Sequence, residues 1–148
     1  MSSSSTGVLK MLQEIAERDV EVATQALAEA MKIADEAQSK YDMLLTYKAE
    51  YSENLTQSLE TGIGAQAYQN FQSFFKKLDQ AVTGQLQMLE TAKHHVQVQK
   101  KRWKEMQKKK LSYEVLSQRQ DDKASKVALK KEQKMMDEFA MRAGKHQK

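Results

Sequence analysis

Few residues of this 148-residue chain are of the kinds that do chemistry, and their spacing limits them further. There is no cysteine, so the chain has no disulfide framework, no thiolate metal site and no cysteine nucleophile. His94 and His95 are adjacent; on a helix they point about 100° apart and cannot share an ion as an i, i+4 pair does. A glycine-rich phosphate loop, an HExxH pair and an acidic calcium loop are all missing from the sequence. No enzymatic activity, metal, cofactor or small-molecule substrate is therefore expected.

The remaining chemical candidate is KKRWKEMQKKK at residues 100–110, seven cations around Trp103. Such a run could contact phosphate and offer the indole for stacking. Trp103 and Met106, however, fall on an apolar helical seam described below, which makes the lysines the solvated outer faces of a coiled coil. The second reading is preferred, and nucleic acid is not expected as a partner.

These residues sit in an unusual polymer. Proline is absent and charged residues make up 30%, which suits one elongated helical unit better than a thick globule. The net charge of +4 is unevenly spread: residues 1–99 carry 8 basic and 13 acidic side chains, residues 100–148 carry 16 and 7. A basic C-terminal third favours an anionic partner. Charges interrupt the N-terminal run at Lys10, Glu14 and Glu17, and no stretch approaches the ~18 apolar residues of a spanning helix. A soluble intracellular protein is expected.

Glycines at 62, 64 and 144 punctuate the chain. Ser5 or Thr6 can cap a first helix over about residues 8–59, and Gly62 can close it in the left-handed conformation. After a turn at 60–64, a second helix is predicted over about residues 65–143, with Gly64 as N-cap and Gly144 as C′. Residues 1–7 and 144–148 are expected to be flexible ends. Positions 9, 13, 16, 20 and onward to 55 alternate steps of three and four, and 12 of these 14 are apolar. The series from 71 to 113 obeys the same rule with 10 of 13 apolar. This is the 3.5-residue repeat of a left-handed coiled coil, and a short glycine turn makes the helices antiparallel.

The turn also sets the register. Facing residues should have numbers summing to about 125, so Leu9 lies near Leu116 and the first helix has nothing to offer beyond it. The expected fold is all-α, a long antiparallel two-helix coiled-coil hairpin of about 75 Å in which the second helix overhangs the first over about residues 117–143. In KMMDEFAMRAG, residues 134–144, an apolar stripe of Met136, Phe139, Ala140 and Ala143 continues with no intramolecular cover. Nearer the turn, Lys40, Leu44, Tyr47 and Tyr51 oppose Gln85, Ala81, Leu78 and Phe74 on one side of the hairpin. Leu44, Tyr51 and Leu78 also lie on the seam, so the rows are either one wide core stripe or, since aromatics are hard to bury between two helices, an exposed patch of the kind that points to a protein partner.

The segments YSENL (51–55), GIGAQAYQNFQSFFKKLDQAV (62–82) and KMMDEFAMRAG (134–144) resemble the FliJ family of flagellar export proteins, and the resemblance covers nearly the whole chain. It implies a non-catalytic cytoplasmic component of the flagellar type III export apparatus, peripheral to the inner membrane and similar in fold to the gamma stalk of rotary ATP synthases. The implied partners are the hexameric export ATPase, the membrane export gate and escort export chaperones. The implied ATPase contacts are Leu9, Leu12, Met135, Met136, Phe139 and Arg142. The implied gate contacts are Lys40, Leu44, Tyr47, Tyr51, Phe74, Leu78, Ala81 and Gln85, where lysine at 40 and glutamine at 85 depart from the family. Competing readings are the equivalent stalk of a virulence secretion system, a basic helical arm on nucleic acid, and a client-holding chaperone tentacle.

Overall fold

A computed structural model describes residues 2–146. Two helices, α1 (Ser2–Thr61) and α2 (Ala65–His146), account for all of these but the turn at 62–64, and they pack against each other as an all-α hairpin. Gly62 has φ of 89°, a left-handed conformation that only glycine adopts without strain, and it ends α1. The Gly64 carbonyl accepts a 3.1 Å hydrogen bond from the Tyr68 N–H, the first intrahelical bond of α2, so Gly64 is its N-cap residue.

Both helices are longer than their sequence limits. Ser5 and Thr6 lie inside α1 rather than capping it, and α2 passes through Gly144, whose φ is not positive. The N-terminal extension is held across the hairpin, where Gln120 Nε2 donates to Ser5 Oγ at 3.2 Å. At the other end no proline intervenes, and a helical glycine costs only about 1 kcal/mol relative to alanine, too little to enforce a stop. Of the expected flexible ends, residues 1, 147 and 148 lie outside the described residues.

The chain divides into two compact units, one formed by Val22–Trp103 and the other by the start of α1 with α2 from Lys104 onward. In the first unit, every seam position from Ala23 to Leu55 and from Phe71 to Trp103 is buried or half-buried. Its α1 contribution includes Ala23, Ala30 and Ala37, seven residues apart and 2%, 2% and 9% exposed, which the register sets against the larger Trp103, Val96 and Leu89, while Leu78 and Val82 are buried nearer the turn. Small residues on one helix and larger ones on the other let the backbones approach closely while the seam stays filled. Trp103 Nε1 donates to Thr24 Oγ1 at 2.9 Å, and Gln85 Nε2 donates to the Ala37 carbonyl at 3.2 Å. The numbers of such facing residues sum to between 121 and 127, in agreement with the register expected from the turn.

In the second unit, Ala16 and Val20 are buried, while Leu9, Gln13, Met106, Lys110 and Tyr113 are half-buried. The seam continues through Ser117 and Gln120, one helical turn beyond its expected end, because the extra turn of α1 supplies Ser5 and Thr6 as cover. From residue 121 to residue 145 every position is exposed.

Candidate partner-binding surfaces

The first candidate surface lies in the Val22–Trp103 unit and is built on aromatic contacts between α1 and α2. Tyr51 meets Phe74 and Phe71 with ring centroids 4.6 and 5.2 Å apart, and Tyr47 approaches Phe74 edge-on at 6.5 Å. The two Tyr51 pairs are tilted and the Tyr47 pair is T-shaped, with centroid separations typical of aromatic pairs worth about 0.5–1.5 kcal/mol each beyond area burial. Lys48, the cation on the α1 seam, is accommodated by its stem. Its ammonium lies 5.4 Å from the Phe75 ring centroid and reaches Asp79 Oδ1 at 2.5 Å.

The eight residues of this candidate site do not behave alike. Leu78 is 6% exposed and belongs to the core. Leu44, Tyr51 and Gln85 are half-buried, whereas Lys40, Tyr47, Phe74 and Ala81 are exposed. Tyr51 pairs with Phe74 as the register requires. Gln85 was expected opposite Lys40, but its amide is drawn to the Ala37 carbonyl, one turn closer to the start of α1. What this side presents outward is chiefly Tyr47 and Phe74, 49% and 40% exposed.

The second candidate surface belongs to the other unit. Met135, Met136 and Phe139 are 63%, 63% and 74% exposed, and Arg142 is exposed beside them. Leu129, two turns earlier on the same stripe as Met136, extends the apolar surface. The helix there is supported locally: Gln118 donates to Asp122 and Gln133 to Asp137, both at 3.1 Å and four residues apart. Each such pair stabilises a solitary helix by about 0.2–0.5 kcal/mol.

Leu9 and Leu12 are half-buried against α2, so they are only partly available to a partner. Sequence reasoning missed the residues of the same stretch that face outward, Val8, Met11 and Ile15, which are 46–55% exposed. Their i, i+3, i+7 spacing was readable as a second apolar stripe beside the seam. The ion pair of Lys48 with Asp79 carries no such sequence signal, because it joins the two helices across 31 positions.

The basic run 100–110 is mostly exposed, but Trp103 turns its indole N–H to Thr24 and is half-buried. Among the described residues no three His, Asp or Glu side chains come together in a way that could hold a metal ion, and no helix is long and apolar enough to cross a membrane.

Comparison with known proteins gives this geometry a context. The family described as flagellar FliJ protein matches residues 5–148. The chain belongs to the FliJ family. The flagellar FliJ protein of Escherichia coli (strain K12) is 32% identical over 137 residues, 93% of each chain. The flagellar FliJ protein of Salmonella typhi is 31% identical over 137 residues, again 93% of each chain. Membership in FliJ makes this a flagellar protein related along nearly its whole length, including the hairpin turn and the exposed end of α2.

Proposed function

We propose that this chain is a non-catalytic stalk of the flagellar type III export apparatus, cytoplasmic and peripheral at the inner membrane. Its exposed α2 end inserts in the hexameric export ATPase ring, promotes ring assembly and stimulates hydrolysis. The Tyr47 and Phe74 side engages the cytoplasmic part of the membrane export gate, and escort export chaperones bind the same protein. The observation that carries the reading is the run from residue 121 to residue 145, helical and exposed at every position yet carrying Leu129, Met136 and Phe139 on one stripe. An amphipathic helix with no cover of its own is built to be covered by another chain.

Symmetry suggests how such an insertion acts. A single hairpin in a sixfold ring cannot meet all subunits alike, so it favours different conformations in different subunits and links their nucleotide states. The cognate export ATPase should hydrolyse ATP faster when the purified chain is added, and Met136→Asp/Phe139→Asp should abolish the stimulation while retaining full helicity. Equal stimulation by the double variant removes the α2 end from the role.

A further inference from the structure

Gly84 is an exposed residue in the interior of α2, and a Cβ built on it would meet nothing within 4 Å. Glycine at an exposed helix interior costs about 1 kcal/mol relative to alanine, and no close approach within the chain offsets that cost. Gly84 forms the floor of an open groove of about 420 Å³ that Ile33 of α1 and Met88 and Ala92 of α2 line with it. Ile33 and Met88 are 46% and 63% exposed. Gln87, Thr91 and His95 complete the lining, and with no carboxylate, lysine or arginine in it the groove suits an apolar occupant better than a charged one.

The groove is aligned with the aromatic patch. Ile33, Lys40 and Tyr47 are spaced by seven on α1, and Phe74, Ala81 and Met88 by seven on α2. In a coiled coil, residues seven apart share a flank, so both triplets lie on one side of the same unit. The contacts agree: Tyr47 meets Phe74 at one end of this strip, and Ile33 shares a groove with Met88 at the other.

We infer that the gate-binding surface is one continuous strip from Tyr47 and Phe74 to Ile33 and Met88, and that a bulky apolar side chain of the gate's cytoplasmic domain seats in the notch over Gly84. This rests on the proposal that Tyr47 and Phe74 bind the gate. Glycine at 84 then has a cause: any side chain there fills the space the partner uses, so stability and binding are opposed at this position.

Binding of the full-length chain to the purified cytoplasmic domain of the gate protein tests this with three variants, Gly84→Leu, Ile33→Ser/Met88→Ser and Tyr47→Ala/Phe74→Ala. Each should weaken binding at least tenfold, and Gly84→Leu should melt at or above the parent temperature; Gly84→Ala, with a smaller side chain, should show the same two signs with a smaller loss. If only Tyr47→Ala/Phe74→Ala weakens binding, the gate reading stands and the extension to Gly84 is wrong. A loss confined to the Gly84 and Ile33/Met88 variants overturns the single continuous strip. If none weakens binding, both the extension and the gate reading fall.

Discussion

Trp103 donates its indole N–H to the hydroxyl of Thr24 at 2.9 Å, joining α2 to α1 with the ring set on the seam. As the chain's one tryptophan, it reports on this contact without labelling. An indole engaged in this way is not free to stack on a base. Adding single-stranded RNA or DNA should therefore leave the emission maximum unchanged, even at low salt where the surrounding lysines attract phosphate. Thr24→Val, which keeps the shape and removes the acceptor, should lower stability by about 0.5–1.5 kcal/mol in urea unfolding. A shift in emission on binding nucleic acid would show that the ring leaves the seam.

Met136→Asp/Phe139→Asp should change stability by no more than about 0.5 kcal/mol, because both side chains are exposed and the substitution disturbs no packing. Loss of ATPase stimulation with an unchanged melting curve separates a docking role from a folding role. A melting point lowered by several degrees would mean that these residues are covered within the free protein.

Ala30 tests the close approach of the two helices. It is 2% exposed at a seam position, and Ala30→Leu adds three carbons where there is no room. Overpacking of this kind costs about 1–3 kcal/mol, measurable as a lower midpoint in chemical denaturation. A stabilising effect would mean that the helices lie further apart than the burial of Ala30 implies.

The Lys48 and Asp79 pair should contribute modestly. Their side chains are 31% and 56% exposed, so water screens the attraction. A double-mutant cycle with Lys48→Met and Asp79→Asn should give a coupling of about 0.2–1 kcal/mol that shrinks as salt is raised. Coupling above about 2 kcal/mol would contradict the exposure of the pair.

Amide exchange should distinguish the covered from the uncovered parts of α2. Residues 121–145 have no tertiary cover, and most helical stability in proteins comes from the packing of an apolar face rather than from propensity. Their amides should exchange fastest within the helix, well ahead of those around Leu78, Val82 and Leu89. Protection of residues 121–145 on adding the export ATPase, with no change around the seam, is the expected footprint of docking.

The hairpin and its register were legible before any coordinate, for a physical reason. A seam repeating every 3.5 residues selects a left-handed coiled coil, and a glycine turn at 62–64 leaves little freedom in how the two seams meet. Ser5 with Gln120 and Tyr51 with Phe74 fall where that register puts them. The uncovered apolar stripe beyond residue 120 was legible as well, since it follows from the unequal lengths of two helices joined by a short turn.

Tertiary structure decided how wide the seam is and where it stops. Periodicity marks the centre of an apolar stripe but not its edge, which depends on how closely two backbones approach, and here the row of Ala23, Ala30 and Ala37 sets that distance. Leu78, on the seam, lies in the core while Tyr47 and Phe74, one position off it, stay half outside. For the same reason Leu9 and Leu12 turn inward while Val8, Met11 and Ile15 face out. The helix ends were the other quantity the chain alone could not set. Capping residues shift a boundary by only about 1 kcal/mol, so a cross-helix contact such as Gln120 with Ser5 can carry the helix past them.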